Sequence, residues 1–347
     1  MNTYELKQLR LYRQHLTAPA DRITVVRDLC GIQAQFSSNV PHALKIRCGE
    51  VITKDHYGDG LVKNWTIRGT IHAFAEEDLP LFKHGRERYH NTDWAGCTTS
   101  GRRWALTPER QTFWSEFILQ KIAAGIGERE ELKALCMEAG MTTAERDCMF
   151  EAWGGGMRDL CERGFLNYAV QEKKVFVLST PFEPMDTPDA EREMLRRYFA
   201  HYAPATLRDA AYYFGWSQAK VKEIMRTLPM QSITVDGVEQ YYIGEIPGDL
   251  PEIPGCILLA GFDPLMLGYR KEDSIFLPPE YLRGIFNLAG IVMPPVLLHG
   301  RVAGRWRRKG KKLIIEQFEA LSAADRNLVE EEAVRLSEPY AIEWRTV

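Results

Sequence analysis

The most regular patterning in the chain follows Ala203, in APATLRDAAYYFGWSQAKVKEIMRTLPMQSITVDGVEQYYIG. Leu207, Ala210, Ala211 and Phe214 recur at helical spacing behind Thr206, whose hydroxyl suits an N-cap, and Gly215 falls where such a helix stops. Val221, Ile224, Met225 and Leu228 repeat the pattern behind Ser217. The period then changes to two. ITV and QYYIG alternate on either side of Asp236-Gly237, a dipeptide that favours a tight hairpin turn. Helix, tight turn, helix and hairpin spell a winged helix, which with the preceding MLRRYFAHY helix predicts a unit over residues 185–246.

The same order of elements recurs one unit earlier, over residues 96–184. REELKALCME predicts a helix, Gly140 a turn, the next stretch further helix, and GFLNYAV and KVFVLS two strands with a Glu-Lys-Lys loop as the wing. A looser copy fills residues 1–95, where ITVVRDLCG and PHALKIRC read as helices and NWTIRGTIHAFA as extended chain. After Gly248, scattered prolines and short apolar runs such as CILLAGF and PPVLLH predict a β-rich module over residues 247–347. Its HGRVAGRWRRKGKKLIIEQF stretch predicts a meander turning near His299-Gly300 and Lys309-Gly310, and SAADRNLVEEEAVRLSE a final helix. The expected fold class is therefore α+β, with three tandem winged-helix units followed by a β-rich C-terminal module.

Composition narrows the function. The 347 residues are 45% hydrophobic, an ordinary globular balance, and carry a net charge of −3, so the molecule is no polycation. No run approaches the roughly 18 apolar residues that a membrane span needs, and the charged N-terminus points to a cytoplasmic protein. The seven cysteines include no CxxC pair and no Cys/His cluster at metal spacing, which argues against a disulfide framework or a zinc site. Neither a metal nor another cofactor is expected.

Charge is nevertheless concentrated locally. Arg301, Arg305, Arg307, Arg308, Lys309, Lys311 and Lys312 are seven basic residues with no acidic one among them, interleaved with Trp306 on the expected meander. A charge run is often only a solvated face. On a hairpin it suits phosphate contact, and Trp306 could either insert into a groove or pack in the core. Winged helices most often bind duplex DNA, although they also serve as protein-binding scaffolds.

Gln33-Ala34-Gln35 raises a different question. Gly31 is placed to end the ITVVRDLC helix, so the two glutamines fall in extended chain or a loop. Two residues apart in extended chain, their amides point to one side, whereas in a continuing helix they would diverge by about 200°. Such a pair can orient a water molecule, but an amide is no general base near neutral pH. Bonding to backbone or solvent in a turn is the alternative.

GIQAQ after a first-unit helix, NWTIRGTIHAFA some thirty residues on, APATLRDAAYYF opening the third winged helix and GRVAGRWRR near the end together resemble the AlkZ/YcaQ-type winged-helix DNA glycosylases. The resemblance covers nearly the whole chain. It implies three tandem winged helices around a concave DNA-binding surface and excision of N-alkylated purines, with interstrand crosslinks as a further substrate. It also implies a catalytic Gln-x-Gln pair, here Gln33 and Gln35, and a DNA-engaging hairpin, here Arg301 to Lys312. The chemistry suits so weak a pair. A purine alkylated at N7 carries a positive charge and leaves without protonation, so what remains is to deliver water to C1′ and favour an oxocarbenium-like sugar.

Thr70 and His72 would share one face of a strand, where His72 either positions substrate or is a hydrogen-bonded core histidine. Asp263, in an Asp-Pro turn, caps local backbone or, as the second reading, acts in acid-base chemistry. No motif supports a Schiff-base lysine, so a monofunctional glycosylase is expected. Duplex DNA with alkylated bases is the expected partner, the protein working as a monomer. The competing reading is a non-catalytic winged-helix transcription regulator, yet such regulators usually dimerise and no long heptad helix is present. The lesion itself is not legible.

Overall fold

The computed structural model describes residues 1–36, 38–83, 106–151, 154–171, 174–336 and 341–346, a mixed α/β chain in two compact units. Unit 1 comprises residues 1–57 and 191–347; unit 2 comprises residues 58–190. The expected boundary at residue 95 lies outside the described residues, as do Cys97 and Glu172 and Lys173 of the expected second wing. No described helix is long and apolar enough to cross a membrane.

Unit 1 begins with helix Thr3–Arg13, closed by an Asn2/Glu5 capping box, and helix Arg22–Asp28, capped by the Asp21 side chain on Thr24 N. Helix Asn39–Lys45 follows. From the far part of the chain come helices Leu207–Phe214 and Gln218–Met225 with hairpin Gln231–Val235/Val238–Tyr242, where the periodicities placed them. Gly215 ends the first of these helices at φ 68°, and Asp236 (φ 47°) and Gly237 (φ 83°) make the tight hairpin turn. The rings of Tyr198, Tyr202 and Tyr213 pack with centroids 4.9–5.1 Å apart and form the aromatic centre of this part of the core.

The β-rich portion of unit 1 is a five-stranded sheet in the order Ala341–Thr346, Lys312–Gln317, Arg301–Lys309, Pro295–Leu298, Cys256–Leu258. The first pair is parallel and the others antiparallel. The meander turns at His299-Gly300 and at Gly310, all three at positive φ. Gly304 sits at a bulge, where a Cβ would lie 2.6 Å from Glu316 O; only glycine lets the strands meet there. Helix Ala323–Arg335 occupies the stretch expected to be the final helix.

Unit 2 packs helices Pro108–Ala123, Arg129–Glu138, Thr143–Met149 and Gly155–Glu162 around Trp114, Ile118, Leu132, Cys136, Met149 and Leu160. Gly140 turns the chain at φ 95°, as expected. The strands pair antiparallel in the order Ile71–Ala75, Leu61–Trp65, Leu166–Tyr168, Phe176–Leu178. NWTIRGTIHAFA is thus not one extended segment. Arg68 (φ 56°) and Gly69 (φ 62°) fold it through the short 3-10 turn Ile67–Gly69 into a hairpin.

Candidate functional site

The helix Arg22–Asp28 leaves carbonyls without helical partners, and the chain after it satisfies them in a tight reversal. Gly31 N donates to Val26 O at 2.7 Å and Cys30 N to Arg27 O at 3.2 Å, with Cys30 and Gly31 at φ 54° and 89°. Tyr202 and Tyr213 both donate their hydroxyls to Leu29 O, at 2.9 and 3.1 Å, and Arg197 donates to Arg27 O at 3.2 Å. Gly31 ends the helical path as its sequence position indicates. Ile32–Gln33 then runs as a two-residue strand and Gln35 lies in a bend.

The pair is not two equivalent amides in an exposed turn. Gln33 is buried, at 6% exposure, whereas Gln35 is exposed. Among the described residues neither amide side chain has a hydrogen-bond partner. Next to Gln35, Phe36 is 45% exposed and its ring stacks at 5.6 Å on Phe262, a residue held at φ 55°. Backbone strain of this kind in a bulky residue persists only where the surroundings over-determine it.

Those surroundings also connect the turn to the basic hairpin. His42, on helix Asn39–Lys45, bonds through Nε2 to Leu258 O at 2.7 Å and lies 4.8 Å from the Trp306 ring. Trp306 donates its indole N–H to Leu259 O at 2.8 Å and is 6% exposed. Trp306 is therefore a core residue, not a wedge. Burial also pushes the His42 imidazole down to about 4, so the ring is neutral near pH 7.

Of the seven basic residues, several already have acidic partners from outside their own run. Antiparallel register sets Arg305 opposite Glu316, which accepts from Arg305 at 2.5 Å and from Arg307 at 3.3 Å. Arg305 also donates to Gly284 O at 2.9 Å, Arg301 pairs with Glu319, and Lys312 pairs with Glu343 at 3.0 Å. Arg308 lies over Trp306 at 5.6 Å. The outward-facing cations collect at the tip, where Arg308, Lys309, Lys311 and Lys312 are exposed around Gly310.

In unit 2, Thr70 and His72 lie two residues apart on extended backbone, but only His72 is within the strand Ile71–Ala75. Thr70 precedes the strand and spends its hydroxyl on Ile67 O at 3.0 Å, closing the turn. His72 is 4% exposed and meets Thr66 Oγ1 at 2.7 Å and Thr70 O at 3.3 Å, both through Nδ1. Burial, aided by Arg68, lowers it to about 3. Asp263 does cap backbone, accepting from Leu265 N at 2.9 Å, but its main partner is a residue that sequence reasoning missed. Arg47 donates to both of its oxygens at 2.6 and 3.1 Å, and both side chains are fully buried.

Taken together, the fold is that of a DNA-glycosylase-class α/β protein: a family model described as "DNA glycosylase AlkZ-like" matches residues 26–338. The chain belongs to the AlkZ-like DNA glycosylase family. It is 23% identical over 352 residues to an interstrand DNA cross-link repair glycosylase from Streptomyces sahachiroi, covering 94% of each chain. The solved structure of the Streptomyces sahachiroi DNA glycosylase AlkZ is similar with a TM-score of 0.79 at 22% identity, over 100% of both chains.

Proposed function

We propose that this protein hydrolyses the N-glycosidic bond of alkylated purines in duplex DNA, with water placed by Gln33 and Gln35. The observation that carries this reading is the turn after Gly31, which holds two amides that have no hydrogen-bond partner among the described residues. Gln33 is fixed by burial and Gln35 is open to solvent. An N7- or N3-alkylated purine is a cationic leaving group, so the site needs no general acid. Gln33 and Gln35 offer carbonyl acceptors to the attacking water and a dipole that favours the sugar cation, at a position already organised by the Leu29 and Val26 bonds. A lysine nucleophile is not part of the scheme, and the enzyme is monofunctional and works as a monomer.

Bulky adducts and interstrand crosslinks are included among the substrates, because the Streptomyces sahachiroi relative is named for crosslink repair. The exposed tip residues Arg308, Lys309, Lys311 and Lys312 meet phosphates, and Phe36 offers a stacking face beside Gln35. The helix pairs and hairpins are three winged-helix modules, over residues 1–95, 96–184 and 185–246, with a C-terminal module after them. Incubation with duplexes carrying 7-methylguanine, a bulky N7 adduct or a defined crosslink, followed by detection of free base, tests the reading. DNA binding with no base released from any of them would favour the regulator reading instead.

A further inference from the structure

Three residues of unit 1 bring ligand atoms together and take no part in the proposed hydrolysis. His15 Nε2 lies 2.8 Å from Asp28 Oδ2, and His201 Nε2 lies 3.2 Å from Asp28 Oδ1. The three ligand atoms lie within 4.8 Å of one another, and the imidazoles stack at 6.1 Å. Their side chains are 13%, 22% and 24% exposed for His15, Asp28 and His201, so the cluster is partly open to water.

The arrangement is poorly suited to neutral imidazoles and a bare carboxylate. His15 Nδ1 lies 3.2 Å from Ala18 O, and a carbonyl only accepts, so the hydrogen of the neutral ring belongs on Nδ1. Its Nε2 then turns a lone pair towards an ionised carboxylate oxygen. His201 has the Arg13 backbone as a hydrogen-bond partner besides the carboxylate. A proton on Nε2 or a metal cation between the three groups resolves the conflict. An imidazole that gives its other N–H to a backbone carbonyl is also the usual orienting arrangement of a metal-bound histidine.

The helices supply a second, independent reason. Asp28 is the last residue of helix Arg22–Asp28, His201 the last of helix Thr187–His201, and His15 stands two residues past helix Thr3–Arg13. Three negative helix ends thus converge on one point. Of the nearby cations, Arg197 bonds Glu193 and Arg27 O, whereas Arg13 donates to Glu245 O at 3.0 Å but still opposes positive charge on His201. His15 Nε2 and His201 Nε2 approach different oxygens of Asp28, at 2.8 and 3.2 Å, and the three ligand atoms lie within 4.8 Å of one another, so an ion with bonds of about 2.0–2.1 Å would draw them together to edges of about 3.3 Å.

We propose that His15, Asp28 and His201 bind a divalent transition-metal ion, zinc by the nitrogen and oxygen character of the donors, as a staple joining three helix ends. Water takes the fourth position. Asp28 lies five residues before Gln33, so the staple secures the base of the turn that carries the glutamines. The proposal stands independently of the glycosylase reading, because it rests on a different cluster and its readouts involve no DNA.

The full chain, stripped with chelator, should take up one zinc ion per chain in calorimetry and melt several degrees higher with zinc present. Cobalt in its place should give the strong visible bands of a low-coordinate nitrogen and oxygen site without thiolate charge-transfer bands. Asp28→Asn and His201→Gln should lose uptake and bands while keeping the far-ultraviolet circular dichroism of the wild type. Should either variant misfold, the wild-type cobalt spectrum decides alone. A failure to saturate with zinc, the appearance of thiolate bands, or unchanged uptake in folded variants would overturn the proposal and leave a histidine–carboxylate ion pair.

Discussion

Asp263→Asn separates the two readings of Asp263 that its Asp-Pro context left open. The carboxylate and the Arg47 guanidinium are both fully buried, and the Arg47 donors not used on Asp263 go to Gln14 O at 3.1 Å and Ala43 O at 3.2 Å. Asp263 further accepts from Leu265 N and Ala260 N, at 2.9 and 3.3 Å. Asparagine preserves the shape but withdraws the negative charge and turns an amide N–H towards the guanidinium. A buried arginine left without its counter-charge destabilises a fold by about 3–5 kcal/mol, whereas replacing both members with apolar residues is often near neutral. Asp263→Asn should therefore lose about 3–5 kcal/mol in urea denaturation, and Arg47→Met/Asp263→Leu should lose less than either single change. Because the chain has two units, the transition should be followed by a probe in unit 1, such as the buried Trp306. A variant that kept wild-type stability yet released no base would refute this reasoning and make Asp263 an acid-base residue.

Three further outcomes are expected. Neutralising Lys309 and Lys311, the exposed tip pair, should reduce the salt dependence of DNA binding by roughly 0.9 log units per log salt for each phosphate no longer neutralised; an unchanged slope removes the tip from the interface. Phe36→Ala should weaken binding of adduct-bearing duplex by about 1–3 kcal/mol if the ring stacks on a base, and equal affinity would assign the ring to packing on Phe262. His72, lowered to about 3, stays neutral between pH 5 and 8, so base release should show no inflection from it there, and His72→Gln should leave the pH profile unchanged. The same shift has a stability consequence. Between pH 6.5 and about 3 the unfolded chain binds a proton at His72 that the folded chain does not, so this residue makes unit 2 less stable as pH falls through that window.

What could be read from the sequence was local. Gly31, Gly140, Gly215 and Asp236-Gly237 all turn the chain at positive φ, a requirement that restricts residue choice strongly enough to show in the sequence. The basic meander was legible for the same reason, since its turns are marked by His299-Gly300 and Gly310. What could not be read depends on partners distant along the chain. Glu316 and Glu343 reach Arg305, Arg307 and Lys312 through strand pairing, and Glu319 reaches Arg301 from just past the strand, so these acids do not show in the basic run itself. Trp306 is buried because Leu259 O and His42 receive it, and Gln33 is buried while Gln35 is not, a difference that alternation alone does not give. His15, Asp28 and His201 come together only in the fold, so no local spacing in the sequence marks them.

Single-turnover release of 7-methylguanine from duplex DNA, compared among the wild type, Gln33→Ala and Gln35→Ala, tests the central claim most directly. Loss of one water-orienting hydrogen bond in a preorganised site costs on the order of 2.7–4 kcal/mol of barrier, so each variant should release base roughly 10² to 10³ times more slowly. DNA affinity should stay near that of the wild type, because neither amide carries charge. Gln33 is buried, so its variant also needs an unchanged melting temperature for the comparison to count. Wild-type rates in both folded variants would contradict the account and leave Gln33 and Gln35 as structural residues of the turn.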